Sequence, residues 1–210
     1  LPINFNSPYK SQSISEFWGR WHIKINRFLE NLIFLPLSLK FRRLFPEDSF
    51  SSKVKIITYS AMATFLISGI WHGAGWTFIL WGVYHGLFVS IHRIYSLMKK
   101  SSANYVESKS KIIFNIFLTN VVIFLSWVLF RSNDIDSAIN FYFILFNIFD
   151  GSWIDIMKFE NFISLAVLFA LLLGCYFLPN TYEIMNYKVK TKTYTAKKSL
   201  KNLFNNIKKY

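Results

Sequence analysis

Long apolar runs are the feature of this sequence that most limits its possible folds. Residues 56–71, IITYSAMATFLISGIW, and 74–91, AGWTFILWGVYHGLFVSI, are separated by only two residues. Residues 112–130 form a third run, and residues 162–178 form a fourth that ends at Pro179. Because a helix needs about 20 apolar residues to cross a bilayer, the four runs predict membrane-spanning helices. The first two are predicted to form a helical hairpin.

A shorter apolar run, residues 139–149, is too short to cross and predicts an interfacial or re-entrant segment. Hydrophobic residues make up 53% of the chain and charged residues 17%, a balance too apolar for an ordinary soluble domain. The predicted fold is therefore all-α, a polytopic integral membrane protein with interfacial or re-entrant helices.

The basic residues fall in blocks between the apolar runs. Lys and Arg collect in segments 38–55 and 92–111, whereas residues 131–161 contain five acidic residues and two basic ones. Since short cytoplasmic loops carry the excess of positive charge, the first two segments are predicted to be cytoplasmic and the third to lie on the far side. Eight lysines between 188 and 210 make residues 187–210 a predicted cytoplasmic tail that is attracted to anionic lipid. The net charge of +13 is thus explained without a nucleic-acid partner.

The first 37 residues have an amphipathic pattern that predicts helices in the interface plane or around a polar cavity. The apolar positions at helical spacing are Trp18, Trp21, Ile25, Phe28, Leu29 and Leu32. Residues 1–186 are interpreted as one membrane domain. Because residue 1 is Leu and no signal-peptide pattern follows, we expect this domain to be the C-terminal part of a longer protein.

The stretch GIWHGAGW, residues 69–76, places His72 at membrane depth between tryptophans and glycines. An ionisable side chain at that depth normally faces the helix bundle or a water-filled cavity. Desolvation favours the neutral imidazole, which can take a proton from a hydroxyl as a general base. The alternative is a packed histidine that donates to a carbonyl in a tight turn. The residues alone leave both open.

The sequence allows two interpretations for each of two further histidines, and one for Arg131. His85 in LWGVYHG either hydrogen-bonds across the hairpin or supports a reacting group. His22 either lines a polar pocket with Trp18 and Arg20 or belongs to an interfacial aromatic belt that Arg20 anchors. Arg131, which follows the third apolar run directly, is by itself an end-of-helix anchor.

Several motifs are missing from the sequence. It has no zinc-type cysteine pair, no HExxH, no GxxxxGK[ST] and no GxSxG, which disfavours metal, nucleotide and serine-hydrolase sites. Cys175 is the single cysteine, so no disulfide framework is possible within the sequence. His72 and His85 are thirteen residues apart, as two haem ligands on one helix would be, but Gly73 and Gly75 argue against a continuous helix. A proton-coupled transporter remains an alternative.

Four stretches resemble the membrane-bound O-acyltransferase family, in particular its bacterial alginate O-acetyltransferase branch, with the D-alanyl transfer protein of teichoic acid synthesis as a more distant relative. They are NFNSPYKSQSISEFWGRWHI (4–23), LISGIWHGAGWTFILWGVYHGL (66–87), VLFRS (128–132) and LPNTYEIM (178–185). The resemblance implies a multi-pass enzyme of the bacterial cytoplasmic membrane. It would move an acyl group, acetyl in this branch, from a cytoplasmic thioester (acetyl-CoA or an acyl carrier) to a hydroxyl of an extracytoplasmic polysaccharide or peptidoglycan.

The resemblance also implies roles for residues. The family's essential histidine in WHG matches His72, as general base, and its histidine in RWH matches His22, which would orient a substrate. His85 matches a supporting histidine. Pocket-lining positions follow for Trp71, Trp76, Trp18, Arg20 and Arg131. The expected partners are the bilayer and an extracytoplasmic acceptor protein or polysaccharide, with no bound cofactor or metal. The alternatives are D-alanyl transfer to teichoic acid, a transporter, and a structural membrane protein.

Overall fold

The computed structural model describes residues 3–46, 48–99, 108–146 and 159–185, and all regular structure in these ranges is helical. A 3₁₀ turn at Pro8–Lys10 precedes the first α-helix, and a π-helical turn at Glu30–Phe34 joins the second to the third. The α-helices are α1 (Ile14–Arg20), α2 (Ile23–Leu29), α3 (Leu35–Leu44), α4 (Phe50–His72), α5 (Trp76–Met98), α6 (Lys109–Arg131), α7 (Ile135–Phe146), α8 (Phe159–Phe177) and α9 (Thr181–Ile184).

Helices α4 and α5 form the predicted hairpin, and they pack closely because glycines face the partner backbone. A Cβ atom at Gly69 would collide with the carbonyl oxygen of Phe78, and one at Gly82 would collide with that of Phe65. One turn further along α5, a Cβ at Gly86 would lie 2.9 Å from Sδ of Met62. Small residues at such crossings let two helices approach at backbone distance, as in membrane helix pairs.

Helix α6 runs antiparallel to α5, and side-chain bonds to backbone carbonyls connect the two. The Tyr84 hydroxyl donates to the carbonyl of Val122 at 2.9 Å, and the Thr77 hydroxyl donates to the carbonyl of Ser132 at 3.4 Å. At the other side of α6, the Asn120 amide donates to the carbonyl of Tyr9 at 2.9 Å. Helix α6 therefore joins the hairpin to the N-terminal segment.

Small polar side chains are buried and large apolar ones are exposed on α4 and α6. Ser60 and Ser126 are fully buried, whereas Phe114 and Phe117 are more than 60% exposed. Among the described helices, α4 and α6 are long enough and apolar enough to cross a membrane. An exposed apolar face and a small, polar interior suit a lipid solvent.

The N-terminal amphipathic region is helical but does not form one helix. Its chain turns at Trp21 and His22 between α1 and α2, so Trp21 and Ile25 face inward while Phe28 and Leu32 are about 60% exposed. Helix α7 includes residues 139–146 of the predicted interfacial segment. Residues 147–149 of that segment and the predicted tail, 187–210, lie outside the described residues.

Candidate active site

A cavity of about 260 Å³ lies where α1, α2, α4, α5 and α6 meet. Three of the four histidines of the chain line it, and most of the remaining wall is aromatic. The lining residues are Phe17, Trp18, Trp21, His22, Ile25, Asn26, Leu29, Ser68, Trp71, His72, Trp81, His85, Trp127 and Phe130. An apolar cavity with a few convergent polar groups is the usual form of a small-molecule site.

His72 is the last residue of α4 and stands at the exposed side of this cavity. Its imidazole lies 5.2 Å from the ring of Trp81 and 5.0 Å from that of Phe130, centroid to centroid, both edge-on. Gly73 follows, and a Cβ there would lie 2.6 Å from the Phe78 ring, so glycine is needed for Phe78 to pack under the turn. Aromatic edges thus hold the imidazole at the end of its helix.

His22 lies between α1 and α2 in the left-handed region, with φ 47° and ψ 48°. Few residues other than glycine adopt this conformation, and neighbouring groups must hold it. The Asn26 amide donates to the carbonyls of Trp18 (2.6 Å) and Trp21 (2.5 Å), which closes the end of α1. Asn4 also contacts this bend. Its backbone carbonyl accepts from the Ile23 N–H at 2.8 Å, and its side-chain amide nitrogen lies 3.3 Å from Nδ1 of His22.

His85 is 1% exposed, and both of its ring nitrogens are engaged. The Trp18 indole N–H donates to Nδ1 at 3.3 Å, and Nε2 lies 3.0 Å from the Ser126 hydroxyl oxygen. Because an indole can only donate, Nδ1 is the acceptor, and we assign the proton to Nε2, which donates to Ser126. Ser126 in turn donates to the carbonyl of Ile123 at 2.6 Å. His85 therefore joins α1, α5 and α6 as a satisfied, neutral imidazole.

The remaining predicted pocket residues divide into two groups. Trp18 and Trp71 line the cavity. Trp76, Arg20 and Arg131 are not among the residues that line this cavity, and their predicted pocket role stays a prediction. Trp76 is 70% exposed because, five positions before Trp81, it lies about 140° away around α5.

The two arginines lie elsewhere for separate reasons. Arg20 is paired with Glu16 at 2.7 Å on the outer face of α1 and also donates to the carbonyl of Asn6. Arg131 is an exposed residue at the C-terminal end of α6, where a positive charge complements the helix dipole.

The predicted pocket residues did not include Trp81, Trp127, Phe130 and Asn26, which also line the cavity. A signal existed for Trp81, which is four residues before His85 and so shares its helical face. Asn26 had no comparable signal, since its role depends on the bend of the chain at His22. Among the described residues, no three His, Cys, Asp or Glu side chains are placed to hold a metal ion.

The geometry therefore defines a helical protein with an apolar exterior and a histidine-lined cavity, and comparison with known proteins identifies its class. The model of the membrane-bound O-acyltransferase family matches residues 1–131. The peptidoglycan O-acetyltransferase of Helicobacter pylori is 41% identical over 141 residues, which cover 66% of this chain and 24% of the relative. The probable alginate O-acetylase AlgI of Azotobacter vinelandii is 32% identical over 185 residues, which cover 88% of this chain and 33% of the relative.

A more distant match is the teichoic acid D-alanyltransferase of Streptococcus thermophilus, 28% identical over 141 residues, with 61% of this chain and 32% of the relative covered. This chain belongs to the membrane-bound O-acyltransferase family. The resemblance seen in the sequence is confirmed. The chain spans about a quarter to a third of the length of these three relatives.

Proposed function

We propose that the protein to which this chain belongs is a multi-pass O-acyltransferase of the bacterial cytoplasmic membrane. It transfers an acyl group, acetyl first among the candidates, from a cytoplasmic thioester to a hydroxyl of an extracytoplasmic polysaccharide or peptidoglycan. The observation that carries the proposal is that His72 and His22, 50 positions apart in sequence, line one aromatic cavity in a chain of this family. The names of the two O-acetyltransferase relatives favour acetyl as the group transferred.

In the proposed mechanism, neutral His72 takes the proton of the acceptor hydroxyl as its oxygen attacks the thioester carbonyl carbon. Collapse of the tetrahedral intermediate re-forms the carbonyl and breaks the C–S bond. The imidazolium then returns its proton to the departing thiolate, so that an ester and a thiol are formed. His22, held in the bend between α1 and α2, orients one of the two substrates, and His85 keeps Trp18 in the cavity wall.

The test is transfer by the full-length protein with His72→Gln. We expect this variant to reach the membrane at the normal level and to leave the envelope polymers without the ester-linked acetate that the unaltered protein adds. His92→Gln is the matched control, because His92 is a histidine of the same region that bonds to Ser15 (2.9 Å) and does not line the cavity. Normal acetylation by His72→Gln would contradict the proposal.

D-alanyl transfer is the second candidate, since one relative carries that name. The same experiment separates the two if ester-linked D-alanine is measured alongside acetate. Loss of D-alanine and not acetate on removal of His72 would assign the second activity. Uptake of protons by proteoliposomes without any ester product would instead favour a transporter.

A further inference from the structure

Trp81 lines the cavity of the proposed active site, and its indole N–H is a buried donor. Trp81 is 4% exposed, and its Nε1 atom has no hydrogen-bond acceptor among the described residues. Leaving a buried donor unpaired is unfavourable. An unpaired buried donor needs an explanation, and an acceptor on a bound ligand would supply one for a residue that lines a cavity.

The surroundings of Trp81 limit what that acceptor is. The Trp81 ring lies 4.7 Å from His85 and 5.8 Å from Trp18, centroid to centroid. Neither neighbour offers it a lone pair, since Nδ1 of His85 already accepts from Trp18 and its Nε2–H donates to Ser126. The Phe130 ring, 5.4 Å away, has no polar atom. No acceptor among the described residues is within hydrogen-bonding distance of the indole N–H. We therefore take its partner to be an acceptor group of a substrate, because an indole N–H can only donate.

The Trp81 ring is also 5.2 Å from His72, the proposed base. The thioester carbonyl must lie close to His72, because its carbon is attacked by the hydroxyl that His72 deprotonates. We propose that the Trp81 indole N–H donates a hydrogen bond to this carbonyl oxygen and stabilises the negative charge that develops there. This inference rests on the proposed acyl transfer and names a second group that acts on the same reacting atoms.

The electron balance of the step shows when the bond matters most. As the hydroxyl oxygen bonds to the carbonyl carbon, the π electrons of C=O move to the oxygen, and the hydroxyl proton moves to His72. The indole N–H then faces an oxyanion rather than a neutral carbonyl, so the bond strengthens in the transition state. When the C–S bond breaks, the electrons return to re-form C=O, and the thiolate takes the proton from His72. A fixed donor of this kind in an apolar site accelerates the chemical step.

The experiment removes the N–H and keeps an aromatic ring. Trp81→Phe is measured in membrane vesicles that hold the full-length protein, with radiolabelled acetyl-CoA as donor and ester-linked label in envelope polymer as product. We expect the maximal rate per enzyme to fall about 100- to 1,000-fold, as on loss of one oxyanion donor, with little change in the KM for acetyl-CoA. Trp76→Phe is the matched control: it is the same substitution on the same helix, at an exposed side chain outside the cavity.

A second variant separates the N–H from the shape of the ring. Replacing Trp81 by 3-benzothienylalanine retains the bicyclic ring and lacks the N–H, so a loss of rate with this residue does not come from a smaller ring. We expect the maximal rate to fall by at least about tenfold. An unchanged maximal rate with benzothienylalanine would overturn the inference. If His72→Gln abolishes transfer in the same vesicles while the Trp81 variants are normal, only the inference fails; normal transfer by His72→Gln would remove the proposed function itself.

Discussion

The Trp18 indole N–H donates to Nδ1 of His85 at 3.3 Å and so fixes α1 against the buried face of α5. This contact predicts an energetic coupling between two residues 67 positions apart. In a double-mutant cycle of Trp18→Phe and His85→Phe, we expect a coupling of about 0.5–2 kcal/mol in the free energy of unfolding, measured by steric trapping in bicelles. Additive effects of the two substitutions would show that the bond contributes nothing.

Gly82→Ala should weaken the hairpin of α4 and α5. The new methyl group would meet the carbonyl oxygen of Phe65, so the two helices would have to separate. Overpacking of this kind costs about 1–3 kcal/mol of unfolding free energy. Gly174→Ala in α8 is the matched control, because its methyl would lie at 3.6 Å from Cδ1 of Leu178, an ordinary contact. Equal stability of the two variants would contradict the close crossing.

Asn26→Ala should impair transfer without touching a reacting atom. The substitution leaves the carbonyls of Trp18 and Trp21 without their amide donor, so the left-handed His22 loses its support. A small displacement of a positioned group costs as much as 10²-fold in rate, and we expect a fall of roughly tenfold in kcat/KM. The exposed neighbour Lys24, replaced by Ala on the same helix, should leave the rate unchanged. A normal rate for Asn26→Ala would show that His22 does not need this support.

Asn180 is predicted to anchor the N-terminal segment that reaches His22. Its amide donates to Oδ1 of Asn6 at 3.1 Å and to the Ser7 hydroxyl at 2.8 Å, while its carbonyl oxygen caps α9. Asn180→Asp keeps the cap and loses the donors. We expect this variant to reduce transfer nearly as much as Asn180→Ala and to increase proteolysis near residues 4–10. If only the Ala variant is affected, the cap is what matters.

Asp134, outside the predicted spans, should show a hydrogen-bond-dependent titration. The Ser137 backbone N–H and side chain lower the pKa of this carboxyl, and the N–H contact is 2.7 Å. A lowered folded pKa means that the contact stabilises the start of α7 fully above the ordinary carboxyl pKa and is lost as pH falls through the lowered value. Ser137→Ala should raise the pKa of Asp134 only partway, as measured by carboxyl ¹³C NMR. A full return to the ordinary value would mean that the backbone bond has no effect.

Much of this architecture is readable from local pattern. The apolar runs 56–71, 74–91 and 112–130 became α4, α5 and α6, because helix formation in an apolar run depends on residues a few positions apart. Helices α4 and α6 begin a few residues before their apolar runs, after the N-cap residues Ser49 and Ser108. The side chains of these serines accept from the N–H groups of Ser52 and Lys111. His72 and His22 were predicted as catalytic residues from family motifs, whereas composition and spacing left two interpretations open for each.

Only the tertiary structure decided which side chains share the cavity. The sequence by itself determined the helices and predicted the histidines as site residues. It also predicted Trp76 as a pocket residue and did not predict Trp81, which lines the cavity. The reason is that the direction of a side chain depends on how the hairpin and α6 pack. The bend at His22 is likewise a tertiary product. Its left-handed backbone is held by Asn4, 18 positions before His22, and by Asn26 in the helix that follows. Contacts between distant residues carry no period in the sequence, and the site is made of such contacts.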